Sequence, residues 1–149
     1  MQATGLATID HAVQTTNEWL NELMEILGWQ DKNRAFRLLR ITLHTIRDWL
    51  QTDESAQLAA QLPIIMRGLY YEGWRPAATP VENRSREDFL ATIDQAFQPD
   101  HLDQTAEACR AVFVLLNNHV SMGEIGHVRH ALRHRIRDLW PDPAEPQAA

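Results

Sequence analysis

The sequence contains little that would mark an exported or membrane-spanning protein. It has one cysteine, Cys109, in 149 residues, so no disulfide can form within the chain, and nothing points to an oxidising compartment. Its start, MQATGLATIDHAVQTTNEW, lacks the basic beginning and apolar centre of a signal peptide. No apolar run approaches the roughly 18–20 residues that cross a bilayer. These absences predict a cytoplasmic protein with no membrane segment.

Basic residues are also in short supply. The chain has 14 Lys and Arg against 20 Asp and Glu, which gives a formal net charge of -6. Proteins that bind nucleic acid usually carry a basic surface. The charge therefore argues against nucleic acid as a partner.

Recognisable catalytic motifs are missing as well. The sequence has no glycine-rich phosphate loop, no paired carboxylates in a known motif and no convincing catalytic triad. Catalytic groups can still converge from distant positions of a chain. The sequence thus favours a non-enzymatic protein, predicts no cofactor and leaves an enzymatic activity open.

What the sequence does contain is helical periodicity. An apolar stripe with spacings of three and four residues predicts a long first helix that stops at Gly28, since glycine suits a C-terminal cap. Asp31 is a candidate cap for a second helix with the same pattern, which continues to Leu50. The first stripe consists of Ile9, Val13, Thr16, Leu20, Leu23 and Leu27.

Four further helices follow, each with its own start signal. The third begins near Thr52 or Asp53 and continues through Leu62, where Pro63 kinks or restarts it. The later start signals are Ser85 with Asp88, Asp103, and Ser121 with Glu124. No strand pattern is present, so the predicted fold class is all-α.

When the sequence is shifted by 70 residues, the apolar positions of the first three predicted helices coincide with those of the last three. We therefore predict a helical bundle of about six helices, built from two tandem three-helix repeats with pseudo-twofold symmetry. Repeat one covers about 8–74, a linker about 75–85 and repeat two about 86–141, all within one domain of residues 1–141, and 142–149 form a disordered tail. Pairs that coincide at this offset include Leu20 with Leu90, Arg40 with Arg110, Glu54 with Glu124, and Tyr70 with Trp140.

Four separate blocks of the sequence add a likeness to a known family. They read, in this order, TTNEWLNELMEILGW, LLRITLHTIRDWL, AQLPIIMRGLYYEGW and EIGHVRHALRHRIRDLWP. With them the chain, from about Leu6 to Pro141, resembles a bacterial family of domains of unknown function, family 2267. The resemblance implies an all-helical bacterial protein with no agreed activity, and it brings no catalytic residues. His130, Arg133 and His134 of the last block depart from the family pattern, which leads us to expect a less histidine-rich helix there, so any role for these histidines is particular to this sequence.

That last helix carries a row of histidines. His127, His130 and His134 lie on one face at spacings of three and four residues, with Glu124 one turn earlier. Such a set could bind a divalent transition metal. The alternative is a solvated surface, because the row points away from the apolar face of the helix. We favour the solvated surface, since a single helix rarely completes a metal site.

Cys109 allows two interpretations. It could be a nucleophile with His44, His101 or His119 as its base. It also occupies the apolar stripe of the fifth helix, where a thiol is usually buried and inert. We favour the buried structural thiol.

Arg40 and Arg110 are repeat mates, and so are Glu54 and Glu124. Both arginines lie beside an apolar stripe, and both glutamates lie at the start of the following helix. A catalytic role would not need duplication. We therefore predict a structural ion pair between Arg40 and Glu54 and a copy of it between Arg110 and Glu124.

The stretch LPIIMRGLYYEGWRP concentrates aromatic residues at a predicted helix end, where Gly73 can take the left-handed conformation. Tyr70, Tyr71, Glu72 and Trp74 are candidates for a ligand or partner groove. The alternative is a lock between the two repeats, which we favour because aromatic residues near helix ends more often pack in a core. The side chains expected to face inward are Ile65, Met66, Leu69 and Tyr70.

Two classes of function follow from these features. The first is a non-enzymatic module that binds a protein partner or itself as a homo-oligomer. The second is a small-ligand or metal-binding protein, with or without enzymatic activity, that uses residues 70–74 or the histidine row. The sequence favours the first class and identifies neither the partner nor the oligomeric state.

Overall fold

The computed structural model describes residues 4–82, 84–132, 136 and 138–143. Within these ranges the chain is helical and contains no β-strand, which confirms the all-α prediction. One short 3-10 helix, Pro76–Ala78, lies between the fourth and fifth α-helices. The α-helices of the described residues are α1 (Ala7–Leu27), α2 (Lys32–Trp49), α3 (Thr52–Ala60), α4 (Ile64–Tyr71), α5 (Arg86–Gln95), α6 (Thr105–His119) and α7 (Met122–Leu132).

Local signals set the junction between α1 and α2 where the sequence predicts it. Gly28 has φ 73° and ends α1, and its N–H donates to the carbonyls of Met24 at 2.8 Å and Glu25 at 3.3 Å. Most side chains are strained in this left-handed region, so glycine suits the position. The Asp31 carboxylate caps α2 by accepting a hydrogen bond from the Arg34 N–H at 3.2 Å.

The two predicted capping boxes have different outcomes. At the start of α5, Ser85 Oγ accepts from the Asp88 N–H at 3.0 Å and Asp88 Oδ2 accepts from the Ser85 N–H at 3.1 Å, which confirms the first box. At the start of α7, Ser121 Oγ accepts from the Glu124 N–H at 3.2 Å. The Ser121 N–H, however, donates to Gln61 Oε1 at 3.3 Å. The second box is therefore half formed, because a side chain from the end of α3 takes its other bond.

Two other helix starts refine the predictions. Pro63 is the N-cap of α4 and restarts the helix there, since proline cannot continue the hydrogen-bond ladder. The predicted third helix is thus α3 followed by α4, and the described residues form seven α-helices instead of six. Asp103 is not the cap of α6, because Gln104 occupies that position and makes no side-chain capping bond.

The buried core is one cluster to which all seven helices contribute. The central helices α2 and α6 contact each other, and each also contacts α1 and α5. Phe113 of α6 stacks on Trp140 with ring centroids 4.4 Å apart, and Trp49 of α2 meets Phe89 edge-on at 5.1 Å. Burying a large apolar side chain contributes roughly 1.5–3 kcal/mol, and α2 and α6 have the most buried residues of the described helices, so they contribute strongly to stability.

The two-repeat organisation stays a prediction. α2 and α6 end at coinciding positions, Trp49 and His119, but α1 has 21 residues and its counterpart α5 has 10. The counterpart of α4 begins at residues 134–135, which lie outside the described residues. Residues 144–149 of the predicted disordered tail also lie outside them. Among the helices that the structure describes, none has the length and apolar content of a membrane span.

Candidate functional site

The aromatic segment of residues 70–74 ends α4 and packs largely into the protein. Tyr70 is fully buried, and its ring meets that of Tyr71 edge-on with centroids 5.5 Å apart. Tyr71 lies 5.2 Å from Trp74, and both are half-buried, whereas Glu72 is exposed. Burial raises the pKa of Tyr70 above its ordinary value, so the hydroxyl stays protonated.

Two arginines of α2 hold the end of this segment. Arg47 is itself buried, and its Nη1 donates to the carbonyls of Tyr70 at 2.9 Å and Glu72 at 2.7 Å. Arg40 Nε donates to Glu72 Oε1 at 2.6 Å. The last carbonyls of a helix lack helical partners and carry negative partial charge, so cations stabilise this position.

His44 lies between these two arginines on α2. Its Nε2 is 2.7 Å from the Leu69 carbonyl, to which it donates, and 4.0 Å from Glu72 Oε1. Its pKa is lowered mainly because burial penalises the charged form, and Arg47 and Arg40 lower it further. His44 therefore acts as a neutral hydrogen-bond donor at neutral pH.

These contacts agree with the packing interpretation of the aromatic segment. The groove role of Tyr70, Tyr71, Glu72 and Trp74 stays a prediction. The anchor on α2 was not predicted from the sequence, although residues 40, 44 and 47 follow one another at spacings of four and three, which places them on one helix face.

The predicted ion-pair partners are wrong. Arg40 pairs with Glu72 and not with Glu54, which instead accepts from the Gln51 N–H at 2.9 Å and so caps α3. Arg110 lies 3.5 Å from Glu107 one turn earlier, and its Nη2 donates to the Asp138 carbonyl at 3.1 Å. Glu124 Oε1 lies 3.7 Å from His127 Nδ1. A glutamate in the first turn of a helix is within reach of groups of that turn, and this local choice prevails over the more distant arginine.

The histidine row is on the surface as far as the structure describes it. His127 and His130 are exposed, and His134 lies outside the described residues. The nearby Glu124 is largely shielded from solvent, and burial raises its pKa. Within the described ranges, no group of three His, Cys, Asp or Glu side chains could hold a metal ion.

Cys109 is a buried thiol. Burial raises its pKa to about 12, so at neutral pH it is protonated and a poor nucleophile. His44 and His119, two of the predicted bases, are engaged elsewhere. His44 binds the Leu69 carbonyl, and His119 lies 2.8 Å from Glu22 Oε1.

The first turns of α1 leave an apolar surface uncovered. None of residues 7–18 is buried, although the sequence stripe predicts a core face there. We name the exposed apolar side chains at the starts of α1 and α4 the α1 face: Leu6, Ile9, Val13, Ile64 and Ile65, with exposed fractions of 59%, 47%, 54%, 68% and 38%. The prediction that Ile65 faces inward is wrong, while Met66 and Tyr70 are buried as predicted.

A groove of about 720 Å³ runs along this surface, between α1 and the start of α4. Val13 and Leu20 of α1 and Ile65 of α4 give it apolar walls, and Asp10 and Gln14 give it polar ones. The periodicity of α1 could not reveal this groove, because a stripe shows which side of a helix is apolar and not whether another element covers it.

The negative charge of the chain is concentrated at the same end. The segment before Lys32, which is the first basic residue of the sequence, contains only acidic charges. From Lys32 onward, the basic side chains nearly balance the remaining Asp and Glu. Nearly all of the net charge of -6 therefore belongs to α1 and the residues beside it. The acidic residues of that first segment are Asp10, Glu18, Glu22, Glu25 and Asp31.

A second cavity, of about 500 Å³, lies between the end of α1 and the start of α6. One of its polar side chains, Arg34, is already paired with Asp100 at 2.7 Å and donates to the His101 carbonyl at 3.0 Å. The guanidinium also lies over the rings of Trp29 and Phe97. These contacts serve to fasten the loop before α6 and leave Arg34 little capacity for a ligand.

Comparison with known protein families places the chain in one of them. The model of a family described as an uncharacterized conserved protein, DUF2267, matches residues 16–139. No curated protein matches the chain. The match begins within α1, so Leu6, Ile9 and Val13 precede it, while Ile64 and Ile65 lie inside it.

Proposed function

Because the chain belongs to the DUF2267 family of uncharacterized conserved proteins, we propose a function from its own surface: it is a helical interaction module that binds an amphipathic helix of a partner protein along the α1 face. The observation that carries this proposal is the run of residues 7–18, about three helical turns without a buried side chain. A helix with an unpaired apolar side is unusual in a protein that acts alone.

The exposed area supports an interaction site. Contiguous apolar patches of a few hundred Å² on a soluble protein commonly mark contact surfaces. The five side chains of the α1 face are each about half exposed or nearly so. Burying the exposed part of one of these side chains against a partner would contribute roughly 1 kcal/mol to binding.

The shape of the surface favours a helix as the occupant. Leu6, Ile9 and Val13 follow one another at spacings of three and four residues, which is the spacing by which one helix packs on another. The groove beside them is bounded by Ile65 on α4. An amphipathic helix laid in such a groove is a common mode of protein recognition.

A second copy of this chain is a poorer occupant. α1 contains Asp10, Glu18, Glu22 and Glu25 and no Lys or Arg. Two α1 helices packed against each other would bring these carboxylates together, and like charges across an interface are unfavourable. The proposed occupant is therefore a different protein.

The scaffold behind the α1 face is, in this proposal, one domain made of two three-helix repeats. Contacts between the repeats support this proposal. The first helix of repeat one, α1, contacts the second helix of repeat two, α6. In the same way, the first helix of repeat two, α5, contacts the second helix of repeat one, α2. Arg47 donates to the Tyr70 carbonyl, and its mate Asn117 accepts from Trp140 Nε1 at 2.8 Å. The first residue of α5 coincides with position 16 of α1, so residues 7–15 of α1 have no α-helical counterpart in the second repeat.

Fluorescence anisotropy with a designed peptide tests the interaction. The probe is a labelled helix of about five turns, with leucine at heptad spacing on one side and glutamine on the other. We expect Ile9→Ser with Val13→Ser to weaken its binding about tenfold or more, because two apolar contacts are lost. The matched control is Ile26→Ser with Phe36→Ser, which removes exposed apolar side chains elsewhere and should leave affinity within about twofold.

Two results would contradict the proposal. Equal affinity of both double variants and the wild type would show that the α1 face does not bind the helix. A wild-type dimer in light scattering that Ile9→Ser with Val13→Ser converts to a monomer would show that a second copy covers the face.

A further inference from the structure

Resting on the interaction proposed for the α1 face, we infer that the partner helix is basic, with Lys or Arg side chains beside its apolar stripe. The face supplies the apolar contact, and the charge around it selects which apolar helices bind.

The distribution of charge along the chain supports this inference. The segment before Lys32 contains Asp and Glu but no Lys or Arg, while acidic and basic side chains are nearly balanced in the rest of the chain. α1 thus carries acidic side chains and no Lys or Arg of its own, and the one lysine that contacts it, Lys32, donates to Asn17 Oδ1. A surface of one sign attracts partners of the other sign and repels its own.

Several carboxylates of α1 are not neutralised from within the protein. Glu22 accepts hydrogen bonds from Asn118 Nδ2 at 2.9 Å and from His119 Nε2 at 2.8 Å. Asp10, Glu18 and Glu25 form no ion pair with any side chain of the described residues. Glu18 and Glu25 are exposed to cations of a partner, and Asp10 lines the groove.

Asp10 brings one of these carboxylates into the groove itself. Its Oδ1 accepts from the Thr4 N–H at 3.1 Å and the Thr4 hydroxyl at 2.8 Å. Its Oδ2 is shielded from solvent and accepts no hydrogen bond from the described part of the chain. A shielded carboxylate oxygen without a donor is costly, and a lysine or arginine entering the groove would supply one.

Glu18 places a second carboxylate beside the groove, further along α1 than Asp10. It accepts a hydrogen bond from Gln14 Nε2 at 3.1 Å, and Gln14 lines the groove beside Asp10. A helix lying along α1 would thus meet Asp10 first and Glu18 about two turns later. The same charges repel anionic lipid and nucleic acid, which disfavours both as occupants.

Three peptides test the charge of the partner. They share the leucine side of the probe described above and carry lysine, glutamine or glutamate on the polar side. We expect affinity to fall in that order, with about tenfold or more between the lysine and glutamate peptides at low salt, and the lysine peptide to lose affinity as salt rises.

Two double variants show which carboxylates attract the lysine peptide. Asp10→Asn with Glu18→Gln should weaken the lysine peptide roughly threefold to tenfold and leave the glutamine peptide unchanged. Asp53→Asn with Glu87→Gln removes two exposed carboxylates from α3 and α5, and should leave the lysine peptide within about twofold of wild type.

The outcomes separate this inference from the proposed function. Equal binding of all three peptides would overturn the basic partner and leave the interaction module standing. Binding of none would overturn the interaction module. If the lysine peptide binds Ile9→Ser with Val13→Ser as tightly as wild type, the attraction is general to an acidic protein and both proposals fail. Flotation of the protein with phosphatidylglycerol vesicles would instead identify a lipid surface as the occupant and overturn the basic helix.

Discussion

The Arg47 guanidinium of α2 donates to the Tyr70 carbonyl at the end of α4, at 2.9 Å, with both residues buried. A charged group inside a protein is stable only when hydrogen bonds compensate for its lost hydration. Here the compensation comes from the Asp48 carboxylate, 2.8 Å from Arg47 Nε, and from the carbonyls of Tyr70 and Glu72 at the end of α4. Hydrogen bonds from Arg47 therefore join the end of α4 to the last turn of α2.

Arg47→Met tests these hydrogen bonds, since methionine keeps part of the volume and removes every donor. We expect the free energy of unfolding to fall by about 2–4 kcal/mol, because the Tyr70 and Glu72 carbonyls lose a donor. Urea unfolding measures the change. The control Arg75→Met, at an exposed position, should change stability by less than about 0.5 kcal/mol. Equal losses in both variants would contradict the anchoring role of Arg47.

His44 predicts a loss of stability in acid. Its folded pKa is lowered from 6.5 by burial and by Arg47 and Arg40, while the bond to the Leu69 carbonyl and the charge of Glu72 oppose the shift. The unfolded chain thus takes up a proton here at higher pH than the folded chain, so stability falls as pH drops below 6.5.

His44→Gln keeps an N–H donor and removes the titration. Between pH of about 7.5 and 5 it should lose less stability than wild type in urea unfolding. His130→Gln, at an exposed histidine, should follow the wild type. Parallel losses in His44→Gln and wild type would show that His44 does not titrate differently on folding.

Cys109 should be unreactive in the folded protein. With its pKa raised to about 12, almost no thiolate exists at pH of about 8, and the side chain is buried. An aromatic disulfide reagent should modify the thiol quickly in urea and not detectably without it. Rapid modification of the folded protein would mean that Cys109 is reachable and a candidate nucleophile after all.

The α1 face should contribute little to folding. Ile9→Ser with Val13→Ser changes exposed side chains and should alter the free energy of unfolding by less than about 1 kcal/mol. Leu23→Ala, on the buried half of the same helix, should cost about 2–5 kcal/mol. Thermal unfolding of the two variants gives the comparison. A large loss for the double variant would show that the face belongs to the core.

Features that depend on a few neighbouring residues were predictable from the sequence. Gly28, Gly73, Asp31 and the box at Ser85 do what their residue types predict, because a glycine at positive φ or a cap involves only one turn of chain. The restart at Pro63 is of the same kind.

Features that depend on which elements meet were not predictable in this way. Arg40 could have paired with any acid within reach, and only the packing of α4 on α2 selects Glu72. The stripe of α1 is continuous from Ile9 to Leu27, but the body of the protein covers its second half alone. Periodicity gives the direction of an apolar side and not the extent of what covers it.

The hydrogen bonds from Thr4 to Asp10 have a consequence for the entropy of recognition. They fix the first turn of α1 before any partner arrives, although Leu6, at the N-cap, provides no side-chain cap. A partner therefore meets a helix that is already formed, and little conformational freedom is lost on this side of the contact. A change that breaks the Thr4–Asp10 bonds should weaken binding through disorder as well as charge, with a more unfavourable binding entropy in calorimetry as its signature.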